Sequence, residues 1–309
     1  MHIARWWRLG APLLAGLWIN PVWSQSTASG VQVFTGADNG NIPYSDGDAG
    51  NHGTHASLAV TDDDWDSSMS GSATSTYGSM KAEVSVNVKG DGSRFVQVCS
   101  DPGTLAQYWC GSGNVATASS SFTDTWVLHG GTGQGTLSLT LDVDGTTHVD
   151  STLPDTGGMG VSTGADIKIS YRTVGSATWQ TALWTTVSGS TQLVSDPISF
   201  TYGTSIEFEF STQAFIHIVD SPIDLAAEWG QGPGAYQVQA DSSFGHTVVL
   251  SSIKAFDSLG HENLGLSIAS ASGTGYPVTA VPEASSTLLA VLGLIPVGCA
   301  LRRRRKAGH

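Results

Sequence analysis

His52 and His55, with Asp46 and Asp48 shortly upstream, put two imidazoles and two carboxylates into one short stretch, a donor set that suits a divalent metal if all four converge. A polar exposed loop is the alternative for the same residues. Asp62, Asp63, Asp64 and Asp66 surround Trp65, and clustered carboxylates are the hard oxygen ligands that calcium prefers. Their spacing lacks the central glycine turn of a calcium loop, so a solvated acidic loop accounts for them more simply. Calcium is the one cofactor the sequence offers, for it carries no phosphate loop or nucleotide fingerprint.

Glu207 and Glu209 lie two apart, on one face of a strand and about 7 Å from each other by strand rise, within the separation that glycosidase carboxylates need. Their alternation with Ile206, Phe208 and Phe210 reads more simply as the wet face of that strand. Beyond the first 24 residues the tryptophans are Trp65, Trp109, Trp126, Trp179, Trp184 and Trp229. Exposed indoles stack on sugar rings, and buried ones fill cores. Trp179 and Trp184 are the sugar-stacking candidates, although five residues of a regular strand would put them on opposite faces. Trp126 alternates with Leu128 and reads as core.

The elements that must position these residues are strands. Val84, Val86 and Val88 alternate with polar neighbours, as do Leu137, Leu139, Leu141 and Val143. Further strands are expected over 94–99, 122–129, 166–173, 178–187, 206–210, 214–219, 246–256 and 264–269. Gly90-Asp91-Gly92, the Gly130–Gly135 stretch and Asp144-Gly145 supply turn chemistry. A single helical turn is expected over Ser221–Trp229. The fold expected is all-β, an antiparallel β-sandwich or jelly roll. Ser120-Ser121-Phe122 recurs as Ser242-Ser243-Phe244, either as two related strands or as a coincidence in a chain rich in serine.

His52-Gly53-Thr54-His55-Ala56 resembles the subtilase segment whose first histidine is the triad base. Asp48 is too close in sequence to orient His52 from a separate strand, Gly203-Thr204-Ser205 runs on into a strand pattern, and the α/β alternation of that fold is missing. No catalytic residue is assigned, and the chain is read as not an enzyme.

The charges are divided between the ends and the middle. Arg5 and Arg8 stand near the start and Arg302, Arg303, Arg304, Arg305 and Lys306 near the end, so the middle carries all 26 acids against six bases, about −20. Such a body repels phosphate backbones and excludes nucleic acid as a partner. Residues 1–24 read as a secretory signal peptide for the Sec machinery, with Val22 and Ser24 preceding a cut ahead of Gln25. Residues 25–280 form the extracytoplasmic β domain. Cys99 and Cys110 are the only cysteines of that domain; in an oxidising compartment, with Asp101-Pro102-Gly103 between them, they are expected to close a disulfide. Ala284–Leu301 is 18 residues without a charge, enough for a membrane helix of about 27 Å.

Val281-Pro282-Glu283, an apolar helix and then the arginine cluster, in that order over 281–306, resemble the PEP-CTERM sorting signal. The second proline of the usual Pro-Glu-Pro is Ala284 here. The resemblance implies a Gram-negative cell in which an exosortase recognises the motif and removes the helix, after transient anchoring in the inner membrane. It further implies delivery to the cell surface or the extracellular matrix of an exopolysaccharide-rich biofilm. The expected role is structural or adhesive, with exopolysaccharide as a partner. A carbohydrate-binding module is the alternative and a secreted hydrolase the third reading.

Overall fold

The computed structural model describes residues 25–35, 42–62, 67–90, 98–100, 107–109, 115–152, 159–220 and 236–278. The expected signal peptide, the helical turn at 221–229 and the sorting signal lie outside these residues. The described chain is all-β, built as two antiparallel sheets, and among the described residues no helix is long and apolar enough to cross a membrane.

The first sheet runs in the order β11 (Gln180–Val187), β10 (Met159–Thr173), β14 (Ser205–Asp220), β8 (Val115–His129), β1 (Gln25–Thr35) and β2 (Ile42–Gly50). The short β16 (Ser267–Ser270) pairs with β8 beyond the end of β1. The second sheet runs β12 (Gly189–Val194), β9 (Gln134–Ser151), β15 (Tyr236–Asp257), β5 (Ser79–Gly90), β4 (Ser67–Thr76) and β3 (Thr54–Asp62), with β13 (Ile198–Thr201) also on β9. A separate hairpin pairs β6 (Val98–Ser100) with β7 (Gln107–Trp109).

The sheets face each other, β1 over β3 and β4, β8 over β4 and β5, and β14 over β5 and β15. Alternation explains why. Met80, Ala82, Val84, Val86 and Val88 on β5, and Ile206, Phe208, Phe210, Ala214 and Ile216 on β14, all turn inward and are buried, while the residues between them on β5 are more exposed. Phe122 stacks on Phe210 with ring centroids 4.6 Å apart, and Trp126 lies 4.4 Å from Phe208 in the same layer. Phe122 and Phe244, the paired positions of the short repeat, sit buried on central strands of opposite sheets.

Three expectations are corrected. Asp142-Val143-Asp144-Gly145 is no turn but the middle of β9, pairing with β15 and β12. Gly145 is there for space, since a Cβ at that position would run into the Phe244 ring. The separate strands expected over 206–210 and 214–219 are one strand, β14, because small Ser211 and Thr212 continue the alternation. Several strands, β1 to β4 among them, were not anticipated: their inward positions are filled by Thr27, Ser29, Ala56, Ala73 and Ser75, too small to register as an apolar stripe.

Candidate functional site

Among the described residues, the outer face of the first sheet at the β10–β11 edge brings together the two exposed tryptophans. On β10, Lys168, Ser170 and Arg172 point outward, opposite Ser211, Glu209 and Glu207 of β14. Trp184 stands directly across from Lys168, and directly opposed residues of an antiparallel pair share a face. A regular strand would then send Trp179 to the other side. It does not, because the register shifts between Ile169 and Ser170, so that Leu183 opposes Ile169 and Thr181 opposes Ser170. Ala182 is the extra residue of this β-bulge, and its carbonyl accepts a hydrogen bond from the Asp196 N–H at 2.8 Å. The bulge restores the phase, and the Trp179 ring lies 4.4 Å from the guanidinium carbon of Arg172 on the outer face. The expectation of opposite faces is therefore corrected: Trp179 and Trp184 share one.

The indole of Trp179 rests on a built support. Arg172 Nε donates to Glu207 Oε2 at 2.6 Å, and Glu207 is only 5% exposed although it faces outward. Glu207 is thus not simply a wet-face residue: Arg172 covers it and Trp179 lies over Arg172. The hydrogen bond to Glu207 raises the Arg172 pKa above its ordinary value, against the opposing effect of desolvation. Trp179 is 36% exposed and Trp184 73% exposed. Glu209 is half-buried beside Ser170. Of the Glu207–Glu209 pair, Glu207 is engaged by Arg172.

Around the same end of the sandwich the sheets part to leave a cleft of about 780 Å³, lined by Tyr171, Ile206, Phe200, Thr136, Ser199 and Asp257 among others. Tyr171 donates its hydroxyl to Gln180 Oε1 at 2.5 Å. Asp257 at the rim accepts from the N–H groups of His261 and Leu259, and the His261 bond chiefly lowers its pKa. Hydroxyl-bearing residues make up much of the lining of the cleft.

Asp124, completely buried on β8, accepts from the Tyr276 hydroxyl at 2.6 Å, the Ser272 hydroxyl at 2.6 Å, the Ser272 N–H at 3.1 Å and the Thr125 N–H at 2.9 Å. Burial, and then the bond to Asp124, pushes the Tyr276 pKa up. This cluster pins the last described segment, 270–278, to the body. Sequence reasoning missed it because Ser272 and Tyr276 lie 148 and 152 residues from Asp124.

The remaining candidates stay apart. His52 Nε2 is 3.8 Å from Asp48 Oδ2, the His55 N–H donates to the same carboxylate, and the His55 ring hydrogen-bonds Thr74 instead. Among the described residues no three His, Cys, Asp or Glu side chains form a group that could hold a metal. Asp63, Asp64 and Asp66 lie outside the described residues, as does Cys110; Cys99 sits on β6 opposite Tyr108. Trp126 is fully buried core.

No family model and no curated protein matches this chain. Among solved structures, the membrane-inserted form of the Clostridium perfringens NetB toxin aligns over 71% of this chain and 94% of its own at 8% identity, with a TM-score of 0.13, too slight a likeness to carry any argument.

Proposed function

We propose that this is an exported protein displayed at the cell surface or in the extracellular matrix, where its β body serves as a structural or adhesive component of an exopolysaccharide-rich envelope and acts by binding rather than by catalysis. In this reading a signal peptide directs export. An exosortase then acts at Val281-Pro282-Glu283 and removes the membrane helix and arginine cluster. The β body is read as a sandwich of the jelly-roll kind.

The observation that supports the reading is the order of residues in the tail: Val281-Pro282-Glu283, then 18 uncharged residues from Ala284 to Leu301, then Arg302–Arg305 and Lys306, behind an all-β body rich in acids. The test is intact-mass analysis of protein recovered from the surface of producing cells. Loss of residues 1–24 and of everything after about Glu283 is the expected result. A surface species that still carries Leu288–Lys306 would overturn the sorting claim.

A further inference from the structure

We propose that the outer face of the β10–β11 ribbon is a binding platform for an uncharged polysaccharide chain, with Trp179 and Trp184 as its two stacking surfaces. The proposal rests on the reading of the protein as an adhesive surface component, and it names the contact through which adhesion occurs.

Three features of the ribbon carry it. The bulge at Ala182 places both indoles on one face, and the Asp196 N–H holds the bulged carbonyl in place. Bulges of this kind re-aim side chains, and this one turns the two tryptophans in a common direction. Second, the Trp179 ring is backed by the Arg172–Glu207 pair, which fixes its plane and leaves one side toward solvent. An aromatic ring held by a part-buried ion pair is preorganised for stacking. Third, the groups around the indoles are hydrogen-bonding rather than apolar: Ser211 and Glu209 stand across from Lys168 and Ser170, and Thr186 donates to Asp166. Apolar ring faces flanked by donors and acceptors match the faces and hydroxyl edges of sugar rings.

The spacing decides between a single sugar and a chain. Lys168 and Arg172, the β10 residues that the two indoles accompany, are four apart, which is about 13 Å along the strand. That distance exceeds one sugar ring, so both indoles engage only an oligomer. Charge decides between neutral and anionic chains. Locally Lys168 and Arg172 are set against Asp166, Glu207 and Glu209, and the middle of the chain carries 26 acids against six bases. A polyanion would be repelled by such a body. Among the described residues β11 is an edge strand, so on its outer side a chain can extend past the platform.

The experiment is native affinity electrophoresis of the full chain in gels containing hydroxyethyl cellulose, dextran or galactomannan, with alginate as the polyanion arm. Calorimetry with cellobiose and cellohexaose follows. At least one neutral polymer should retard the protein, while alginate should not. Trp184→Ala and Trp179→Ala should each weaken retardation about tenfold, with Trp184→Phe recovering part of it. Trp184 lies on the surface, so the fold of its variants can be verified by circular dichroism. Cellohexaose should bind more tightly than cellobiose in the wild type, and each alanine variant should erase that advantage. Absence of retardation by all three neutral polymers, retardation unchanged in Trp184→Ala, or retardation by alginate alone would each overturn the platform. If the platform fails while intact mass shows both cuts, surface display stands without it; if the tail is retained while the platform binds, display fails and the platform stands.

Discussion

Replacing Asp124 by alanine tests the buried clamp. In the native fold this carboxylate is fully buried and accepts four hydrogen bonds, three of them from Ser272 and Tyr276. A hydrogen bond to a charged group contributes about 1.5–3 kcal/mol. Three such bonds exceed what a short segment can lose while staying docked, so the segment should release and hydrate its donors rather than remain buried and unpaired. The loss is then capped by the docking of 266–278, which includes buried Leu266 and Tyr276, and about 3–5 kcal/mol is expected. Tyr276→Phe removes one bond, keeps the ring against Trp126 at 4.6 Å, and should cost about 1.5–3 kcal/mol. Urea unfolding followed by tryptophan fluorescence gives both values, and hydrogen exchange locates the loss. The pH dependence has a definite sign. Burial and Asp124 raise the Tyr276 pKa, so its contribution is complete below the unfolded value of about 10 and is lost as pH rises beyond it. Tyr276→Phe should flatten that alkaline loss, leaving the smaller contribution of Tyr77, which burial shifts in the same direction. A loss under about 1 kcal/mol in Asp124→Ala, or unchanged exchange protection of 267–278, would refute the clamp.

Gly130→Ala should destabilise severely, because φ is +94° and the new Cβ would collide with the Gly265 carbonyl, whereas Gly175→Ala, at φ +92° with open space around it, should cost only about 1–2 kcal/mol; thermal melts compare the two. Thr212→Val should be neutral or stabilising, since the Thr212 hydroxyl is buried without a hydrogen-bond partner among the described residues; a clear drop in the urea midpoint would show that the hydroxyl is satisfied. Cys99 and Cys110 should resist alkylation in the denatured, unreduced protein, and reduction should remove roughly 3 kcal/mol of stability; modification at both thiols without reductant contradicts the disulfide.

The strands with large inward residues were legible from alternation alone: β5, the first half of β9 and the start of β14 announce themselves through Val, Leu, Ile or Phe at alternate positions. The strands lined by serine, threonine and alanine were not, because a core position filled by Ser29 or Ala73 looks like the wet face beside it. Asp144-Gly145 reads as a turn in sequence, yet its glycine answers to a ring arriving from another strand, which no local pattern contains. The same limit applies to the aromatic face. Trp179 and Trp184 could be named as candidates from their type, but their common direction depends on one unpaired residue, and parity counted along the chain gives the wrong answer whenever a bulge intervenes. Asp124 was invisible for a further reason, since its partners gather only when the far end of the body returns to β8.

That return makes the body nearly a closed ring. Gln25 opposes Asp124 while Ser270 opposes Trp126, so the first and last strands lie end to end along the same side of β8. The Ala271 N–H bonds to the Thr125 carbonyl between them. A chain whose ends are joined by a linker and which is reopened at the exposed turn around Gly175 would keep every described ladder. Order along the chain is therefore dispensable to this architecture, and either end can be redirected without unpicking the sheets.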